Sequence, residues 1–401
     1  GVLMSAGGPA ALRLFLVAGE HSGDALGARL MAALKEARGA DGVVFAGVGG
    51  EDMANEGLAS LFPIEDVAVM GPAHIIPALP RIVRRVYQTV SAALTFKPDA
   101  VVIIDSPEFT HPIAKRIRKR APDIPILDYV SPSVWAWRSG RAKKMRRYVD
   151  EVLALLPFEP AAHHRLGGPH CTYVGHPLIE KFGDIRNADA AGLRARLAIP
   201  PDRKVLLVLP GSRRSEVDRL LAVFGETVAH LVAMGLAFDC VVPAVPHVRA
   251  KIEAAAGGWA ARTHVVSGAG KFAAMRMADA ALAASGTVTL ELALAGLPMV
   301  VAYKVDAVMA PILRRLITAP TVVLANLVLD ENAFPEFLQE DCTPEHLSTT
   351  IAQLLADTPA RRMQLEALAR VPGKLLLASG TPSQAAARAV LTVVDARKRQ
   401  W

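Results

Sequence analysis

Two carboxylates, Glu20 and Asp105, each follow an apolar run that is typical of a buried strand. In open α/β sheets, the carboxyl ends of the strands form the edge at which ligands bind. A carboxylate at that edge can act as a general base, although a turn or helix-capping role for Asp105 fits the sequence equally well. Around Glu20, the segment 19–24 (GEHSGD) carries more polar side chains than a turn needs. Ser22 or Asp24 could instead cap the next helix.

A phosphate-binding turn is predicted within residues 204–216, KVLLVLPGSRRSE. An apolar strand there runs through Gly211 and Ser212 into a polar helix start. Backbone N–H groups converge at such a helix N-terminus, and the helix dipole favours anions. Arg213 and Arg214 add fixed positive charge with several donors. The pattern indicates a site for a phosphate or diphosphate group.

A second turn of this kind follows the apolar run 280–283, at Ser285, Gly286 and Thr287. Its N–H groups and hydroxyls suit a phosphate, and Glu291, one turn later, suits ribose hydroxyls. The competing interpretation is structural: a Ser/Thr helix cap with Glu291 as its capping-box partner.

An apolar stretch beside basic residues lies at 67–80 and is followed by three arginines. This combination is typical of a membrane surface or an acyl-chain groove, and ordinary helix core is the alternative. The residues predicted to contact membrane or acyl chains are Val67, Val69, Met70, Ile75, Ile76 and Leu79.

Short apolar runs alternate with amphipathic stretches along most of the chain, which predicts an α/β fold of two doubly wound parallel sheets. The chain is expected to divide after Gly175-His176-Pro177. We predict an N-terminal Rossmann-like domain at 12–180, a C-terminal one at 181–343, and a helical segment at 344–401. The predicted strands are 14–18, 43–46, 100–104, 124–129, 151–155, 205–209, 238–242, 264–266, 280–283 and 299–302.

Composition narrows the function classes. The net charge of +7 suits anionic partners, but aromatic residues make up 5% of the 401 residues and do not interleave with the basic clusters, which argues against nucleic acid. The three cysteines are too widely spaced for a zinc site or a disulfide framework, so a cytoplasmic protein is expected. The most apolar region, 278–303, is interrupted by charged residues, Gly and Pro, which argues against a membrane span. A buried strand–turn–helix–strand unit is predicted there instead.

The motifs that stand out along the chain are AGEHSGD (18–24), GVGGEDMANEG (47–57), VMG (69–71), KPD (97–99), IDSPEF (104–109), YVSPSVWAWR (129–138), LPFEP (156–160), VGHPL (174–178), LPGSRRSE (209–216), ASGTVTLE (284–291), PMVVAYK (298–304) and NLVLDENAFPEFLQ (326–339). The two tryptophans of YVSPSVWAWR, Trp135 and Trp137, could stack on a ligand or fill a seam between domains. Taken together, the motifs resemble those of the lipid-A-disaccharide synthase family, in family order and over almost the whole chain. YVSPSVWAWR and VGHPL are the most specific of them.

This resemblance implies a GT-B glycosyltransferase, with its two Rossmann-like domains facing a cleft. The reaction it implies joins UDP-2,3-diacylglucosamine to 2,3-diacylglucosamine 1-phosphate and gives the β-1,6-linked lipid A disaccharide 1-phosphate and UDP. The donor is α-linked and the product β-linked, so the anomeric carbon inverts by direct attack of the acceptor 6-hydroxyl. The resemblance also implies peripheral attachment to the cytoplasmic face of the inner membrane, and it suggests a homodimer.

On this resemblance, Asp105 is the expected base, with Glu20 as the alternative. No acidic DxD motif stands in a suitable context, so transfer without a metal is expected. Ala325 stands where the family pattern has proline, and the 327–334 loop departs from the usual form, so its geometry is not predicted. The residues expected to bind substrate or UDP are Ser22, Gly211, Ser212, Arg213, Ser285, Gly286, Thr287, Glu291 and Asn326.

Four other functions remain open on sequence grounds. A UDP-N-acetylglucosamine 2-epimerase or another UDP-sugar transferase would also need paired domains and phosphate turns, but the SPSVWAWR segment argues against both. A non-catalytic nucleotide-binding module would bind UDP and transfer nothing. An RNA-binding protein would show salt-sensitive binding without preference for UDP.

Overall fold

The computed structural model describes residues 10–68, 72–136, 138–316 and 319–400. The chain divides into two units, the first comprising residues 1–176 and 377–401 and the second residues 177–376. Within the described residues, each unit is built on a six-stranded parallel sheet with helices around it. The fold class predicted from the sequence is confirmed.

The sheet of the first unit has the order β2-β1-β3-β4-β5-β6. Its two faces carry separate apolar clusters because alternate residues of β1 point to opposite sides: Leu14 and Leu16 to one, Phe15 and Val17 to the other. The elements of this unit are β1 Leu12–Ala18, α1 His21–Arg38, β2 Val43–Val48, α2 Glu51–Asn55, α3 Pro72–Phe96, β3 Ala100–Ile104, α4 Pro107–Arg120, β4 Ile126–Tyr129, α5 Gly140–Met145, β5 Glu151–Ala154, α6 Glu159–Arg165, β6 His170–Tyr173 and α17 Pro382–Lys398.

The sheet of the second unit has the order β12-β11-β10-β7-β8-β9. Residues 278–303, which the sequence marked as most apolar, form β10, α12 and β11, in agreement with the prediction of a buried strand–helix–strand unit. The elements of this unit are α7 Phe182–Arg186, α8 Ala190–Arg196, β7 Lys204–Leu209, α9 Arg214–Ala233, β8 Phe238–Ala244, α10 Pro246–Ala256, β9 Thr263–Ser267, α11 Lys271–Met277, β10 Ala280–Ala284, α12 Val288–Ala295, β11 Met299–Tyr303, α13 Ala310–Leu316, α14 Leu324–Leu329, β12 Glu336–Leu338, α15 Pro344–Leu354 and α16 Pro359–Leu375.

The last helix, α17, belongs to the first unit although its sequence follows the second. Its apolar side chains, Ala386, Val390 and Val394 among them, join the same cluster as Leu30 and Leu34 of α1. The chain therefore returns to its N-terminal unit after completing the second one.

Both sheets have a point at which the strand order reverses. In the first, β1 pairs with β2 on one side and β3 on the other; in the second, β7 pairs with β8 and with β10. Ligands of doubly wound sheets bind outside the carboxyl ends of the strands at such a reversal. The segments that follow β1, β3, β7 and β10 are therefore where a site is expected.

The sequence did not predict the edge strands β6 and β12. Both are partly exposed, and neither contains a continuous apolar run, which is the pattern that marks a strand buried on both faces. In the described part of the chain, no helix is long and apolar enough to cross a membrane.

Candidate active site

Glu20 and Asp105 meet at the reversal point of the first sheet. Glu20 lies two residues beyond β1 and Asp105 directly follows β3, and these two strands pair at Ala18 and Ile104. The negative charge of Glu20 acts on Asp105 and raises its pKa, and the Ser22 hydroxyl donates to Glu20 Oε1 at 2.7 Å. The structure thus groups three of the residues that the sequence singled out.

Asp105 has the electrostatics of a base that works near neutral pH. Burial and the negative charge of Glu20 raise the pKa of Asp105 from 3.8 to about 6. A hydrogen bond from the Ser106 backbone N–H favours the ionised form and partly opposes this rise. A pKa slightly below physiological pH leaves the carboxylate ionised yet able to accept a proton.

The backbone at Asp105 is strained. Asp105 and Ser106 have φ values of 51° and 44°, which non-glycine residues rarely adopt. Two contacts hold them: the Thr110 hydroxyl donates to the carbonyl oxygens of both residues, and the Asp105 N–H donates to Tyr129 O. A Cβ at Gly19 would lie 2.7 Å from Ser106 Cβ, so this close approach requires glycine. Strain held in place by its surroundings is characteristic of functional sites.

The raised pKa predicts that Asp105 costs the protein stability. Between pH 3.8 and about 6 the folded state binds more protons than the unfolded state, so the contribution of Asp105 to the free energy of unfolding falls as the pH rises through this window. Asp105→Asn should therefore raise the free energy of unfolding at pH 7.5 by about 1–3 kcal/mol. Urea unfolding at pH 7.5 and pH 3.5 tests this expectation, and the gain should vanish at the lower pH. A variant less stable than wild type at pH 7.5 would contradict it.

Three buried side chains lie behind this site and were not identified from the sequence. His111 Nδ1 is 2.8 Å from the Tyr148 hydroxyl, and His111 Nε2 is 3.1 Å from Asp128 Oδ2. Burial raises the pKa of Asp128, and the negative charge of this residue in turn raises that of Asp105. Since the three residues come from distant segments, nothing in the sequence indicates that they form one network.

The YVSPSVWAWR segment is fixed to the first unit from two sides. Ser131 Oγ is 3.0 Å from His163 Nε2, and the Trp135 ring packs edge-on against Phe158 with a centroid distance of 5.0 Å. Trp135 therefore packs within its own unit, and Trp137 lies outside the described residues. Val130, a β-branched residue, has φ 71°, which places a second strained backbone close to Asp105.

The second unit has a cavity of about 630 Å³ at the reversal point of its sheet. It lies at the carboxyl ends of β7 and β10, where α9 and α12 begin, so N–H groups and helix dipoles of both helices favour an anion there. Gly286 has φ 131°, a conformation that favours glycine, and open space lies where a Cβ would project. Seven of the predicted UDP-binding residues line the cavity, namely Gly211, Ser212, Arg213, Ser285, Gly286, Thr287 and Glu291.

Lys271 adds a second cation to this cavity and was missed in the sequence analysis. Its Nζ lies 2.7 Å from Glu291 Oε2 and 3.0 Å from Oε1, so Glu291, which is 7% exposed, is held in an ion pair. Lys271 begins α11 after the segment Gly268-Ala269-Gly270 at the end of β9. This is another strand, glycine turn and helix start, and the same pattern could have identified it.

Asn326 does not line this cavity, contrary to the expectation from the sequence. It is 2% exposed, and its amide is used within the fold: Nδ2 donates to Phe334 O at 2.9 Å and Oδ1 accepts from Phe334 N–H at 2.9 Å. Nδ2 also lies 3.3 Å from Thr321 Oγ1. Asn326 thus fastens the loop that ends at Phe334, whose form the sequence left unpredicted.

The predicted membrane-contacting residues separate into two groups. Ile75, Ile76 and Leu79 on α3 are 40%, 77% and 50% exposed. Val67 is buried in the core of the first unit, so the expectation that it contacts a membrane was wrong. Val69 and Met70 lie outside the described residues.

Solved structures of low sequence identity show the same fold. UDP-GlcNAc 2-epimerase from Neisseria meningitidis, bound to UDP-GlcNAc, superposes with a TM-score of 0.60 at 13% identity and covers 96% of this chain and 100% of its own. MurG from Acinetobacter baumannii superposes with a TM-score of 0.58 at 14% identity, covering 97% and 99%. At this level of identity, the likeness supports the GT-B fold of two Rossmann-like units and no particular reaction.

Sequence relatives are far more similar. A lipid-A-disaccharide synthase of Nitrobacter hamburgensis is 54% identical over 387 residues, which is 96% of each chain. One from Rhodopseudomonas palustris is 54% identical over 383 residues, covering 95% of this chain and 96% of its own. Residues 14–377 match the family model described as lipid-A-disaccharide synthetase. This chain therefore belongs to the lipid-A-disaccharide synthetase family, whose members are UDP-sugar-dependent glycosyltransferases.

Proposed function

We propose that this protein transfers the 2,3-diacylglucosaminyl group of UDP-2,3-diacylglucosamine to the 6-hydroxyl of 2,3-diacylglucosamine 1-phosphate. The products are UDP and the β-1,6-linked disaccharide 1-phosphate. The observation that carries the proposal is the cavity of the second unit, where two helix N-termini and two cations surround a space suited to a diphosphate. The family membership supplies the substrate class.

Arg213 and the turns at Gly211 and Gly286 are proposed to hold the donor diphosphate. Bond cleavage leaves the electron pair of the anomeric C–O bond on the β-phosphate, and these donors stabilise the charge that develops there. Glu291, fixed by Lys271, is proposed to accept hydrogen bonds from the ribose hydroxyls. Arg213 and Lys271 supply positive charge at the leaving group, and we propose that transfer needs no metal.

Asp105 is proposed to act as the base. As the acceptor oxygen attacks the anomeric carbon from the face opposite the diphosphate, Asp105 takes the proton of the 6-hydroxyl. A single displacement of this kind converts the α-linked donor to a β-linked product. Glu20 is proposed to keep the pKa of Asp105 high through its negative charge, and Ser22 to orient Glu20.

The experiment that tests the proposal is release of UDP from UDP-2,3-diacylglucosamine with and without the acceptor. Release that depends on the acceptor supports a transferase. The alternative, an epimerase, predicts turnover of the donor alone, and a nucleotide-binding module predicts none.

The homodimer suggested by the resemblance stays a prediction, which sedimentation velocity of the purified protein would test.

We also propose that α3 attaches the protein to an anionic membrane surface, the cytoplasmic face of the inner membrane. Exposed apolar side chains recur along one stripe of this helix at Ile75, Leu79, Val83 and Tyr87, with Ile76 beside it. Exposed arginines on the same helix suit anionic headgroups. Both substrates carry acyl chains, so a membrane-bound enzyme would meet them where they reside.

Ile76→Asp should weaken binding to vesicles of phosphatidylethanolamine and phosphatidylglycerol about tenfold or more, because an apolar contact is lost and a negative charge faces anionic lipid. Cosedimentation with the vesicles measures the effect. The matched control is Met363→Asp on α16, which changes an equally exposed apolar side chain, 71% against 77%. Equal losses in the two variants would contradict a membrane role for α3.

A further inference from the structure

A second exposed apolar surface lies on the other unit, at residues 307–312. This segment has the sequence AVMAPI and follows β11 at the carboxyl edge of the sheet. The cavity of about 630 Å³ described above lies at the same edge, and we call it the donor cavity. Val308 is 77% exposed, Met309 45% and Ile312 49%. Adjacent large apolar side chains seldom stand so far out of a surface without a partner, so contact with an apolar group is indicated.

The segment borders a separate cavity of about 320 Å³. Val305 and Ala310 line it on the side of the segment, and Tyr303, Val322 and Leu338 line other parts of its wall. The apolar surface therefore continues from the exposed segment into a recess of the second unit.

This recess adjoins the donor cavity. Ser285, which lines the donor cavity, donates its hydroxyl to Val322 O at 2.8 Å, and Val322 lines the recess. The Ser285 N–H also donates to the carbonyl oxygen of Ala302 on the neighbouring strand, β11. The residue after Ala302 is Tyr303, which lines the recess. One layer of residues thus separates the diphosphate position from the recess.

The polar groups of the recess are largely engaged within the protein. Glu336 accepts hydrogen bonds from the Thr321 hydroxyl at 2.7 Å and the Val322 N–H at 2.9 Å. Arg314 forms an ion pair with Glu340. These contacts satisfy the polar groups within the fold, and the apolar side chains of the recess remain available for contact with an apolar ligand.

We infer that residues 307–312 and the adjoining recess receive an acyl chain of the donor substrate. The inference rests on the proposed function, since it assigns the acyl contact of the same donor. The acyl contact makes this segment a determinant of specificity. The diphosphate is held in the donor cavity, and the acyl chain distinguishes the diacylated donor from UDP-sugars without acyl chains.

The test is a comparison of two affinities in the Val308→Asn/Ile312→Asn variant. KM for UDP-2,3-diacylglucosamine should rise about tenfold in detergent micelles with kcat little changed, because two apolar contacts are lost. The dissociation constant of UDP, measured by calorimetry, should stay at the wild-type value. Both side chains are about half exposed or more, so the fold should tolerate the changes, and Met363→Asn serves as the matched control.

An unchanged donor KM in the active double variant would overturn the inference. So would a variant that loses vesicle binding while its donor KM in micelles stays constant, because the segment would then contact bulk lipid. Equal increases in the donor KM and the UDP dissociation constant would also contradict it, since that pattern indicates a disturbed diphosphate site. Wild-type protein that transfers no sugar would instead refute the proposed function.

Discussion

Asp105→Asn should lower kcat for disaccharide formation by about 10²- to 10⁴-fold, because the acceptor hydroxyl loses its base. UDP should bind as tightly as to wild type, since Asp105 is not among the described residues that line the cavity proposed to hold the diphosphate. Together with the stability gain expected for the same variant, this predicts a protein that is more stable and nearly inactive. Steady-state kinetics and UDP calorimetry on one preparation measure kcat and the dissociation constant of UDP.

Glu20→Gln is the matched control for this prediction. Removing the negative charge of Glu20 should lower the pKa of Asp105. The acid limb of the pH–rate profile should therefore lie at a lower pH in Glu20→Gln than in wild type, for which the pKa of Asp105 predicts a midpoint near pH 6. If Glu20 were the base, this variant would lose activity at every pH and Asp105→Asn would retain it. The two substitutions therefore distinguish the candidates.

Arg213→Ala should lower kcat by about 10²- to 10³-fold, which is the usual cost of removing one donor from a developing negative charge. Arg213 lines the cavity proposed to hold the diphosphate and immediately precedes α9. Arg213→Lys should recover part of the loss, because the charge returns without the fork of donors. Kinetics at saturating acceptor and varied donor measure the effect.

The neighbouring Arg214→Ala provides the control, because Arg214 is exposed and does not line that cavity in the described part of the structure. Its kcat should remain near the wild-type value. Equal losses for the two arginines would indicate a general effect of positive charge and would contradict a specific contact from Arg213.

The sequence predicted the two parallel sheets because most of their strands are buried on both faces. Continuous apolar runs marked β1, β3, β7 and β10, and the glycine or hydroxyl residues after them marked the site. That information is local: strand, turn and helix start stand within about a dozen residues of one another.

What the sequence could not predict depends on contacts between distant segments. Asn326 was assigned to the substrate because its segment resembles a family motif, yet its amide bonds to Phe334, which only the folded loop reveals. The same holds for His111 and Asp128, which lie on different elements and meet only in the fold. Val67 is apolar like Ile75, Ile76 and Leu79, which are exposed, and burial alone separates it from them.

We propose that this protein joins two acylated sugars by a single inverting displacement. The most direct test of this proposal is NMR of the product formed from UDP-2,3-diacylglucosamine and 2,3-diacylglucosamine 1-phosphate, with UDP quantified in the same reaction. We predict a β-1,6-linked disaccharide 1-phosphate and one UDP for each disaccharide formed. An α-linked product would contradict an inverting displacement. UDP released from the donor at the same rate without acceptor would contradict transfer to the acceptor.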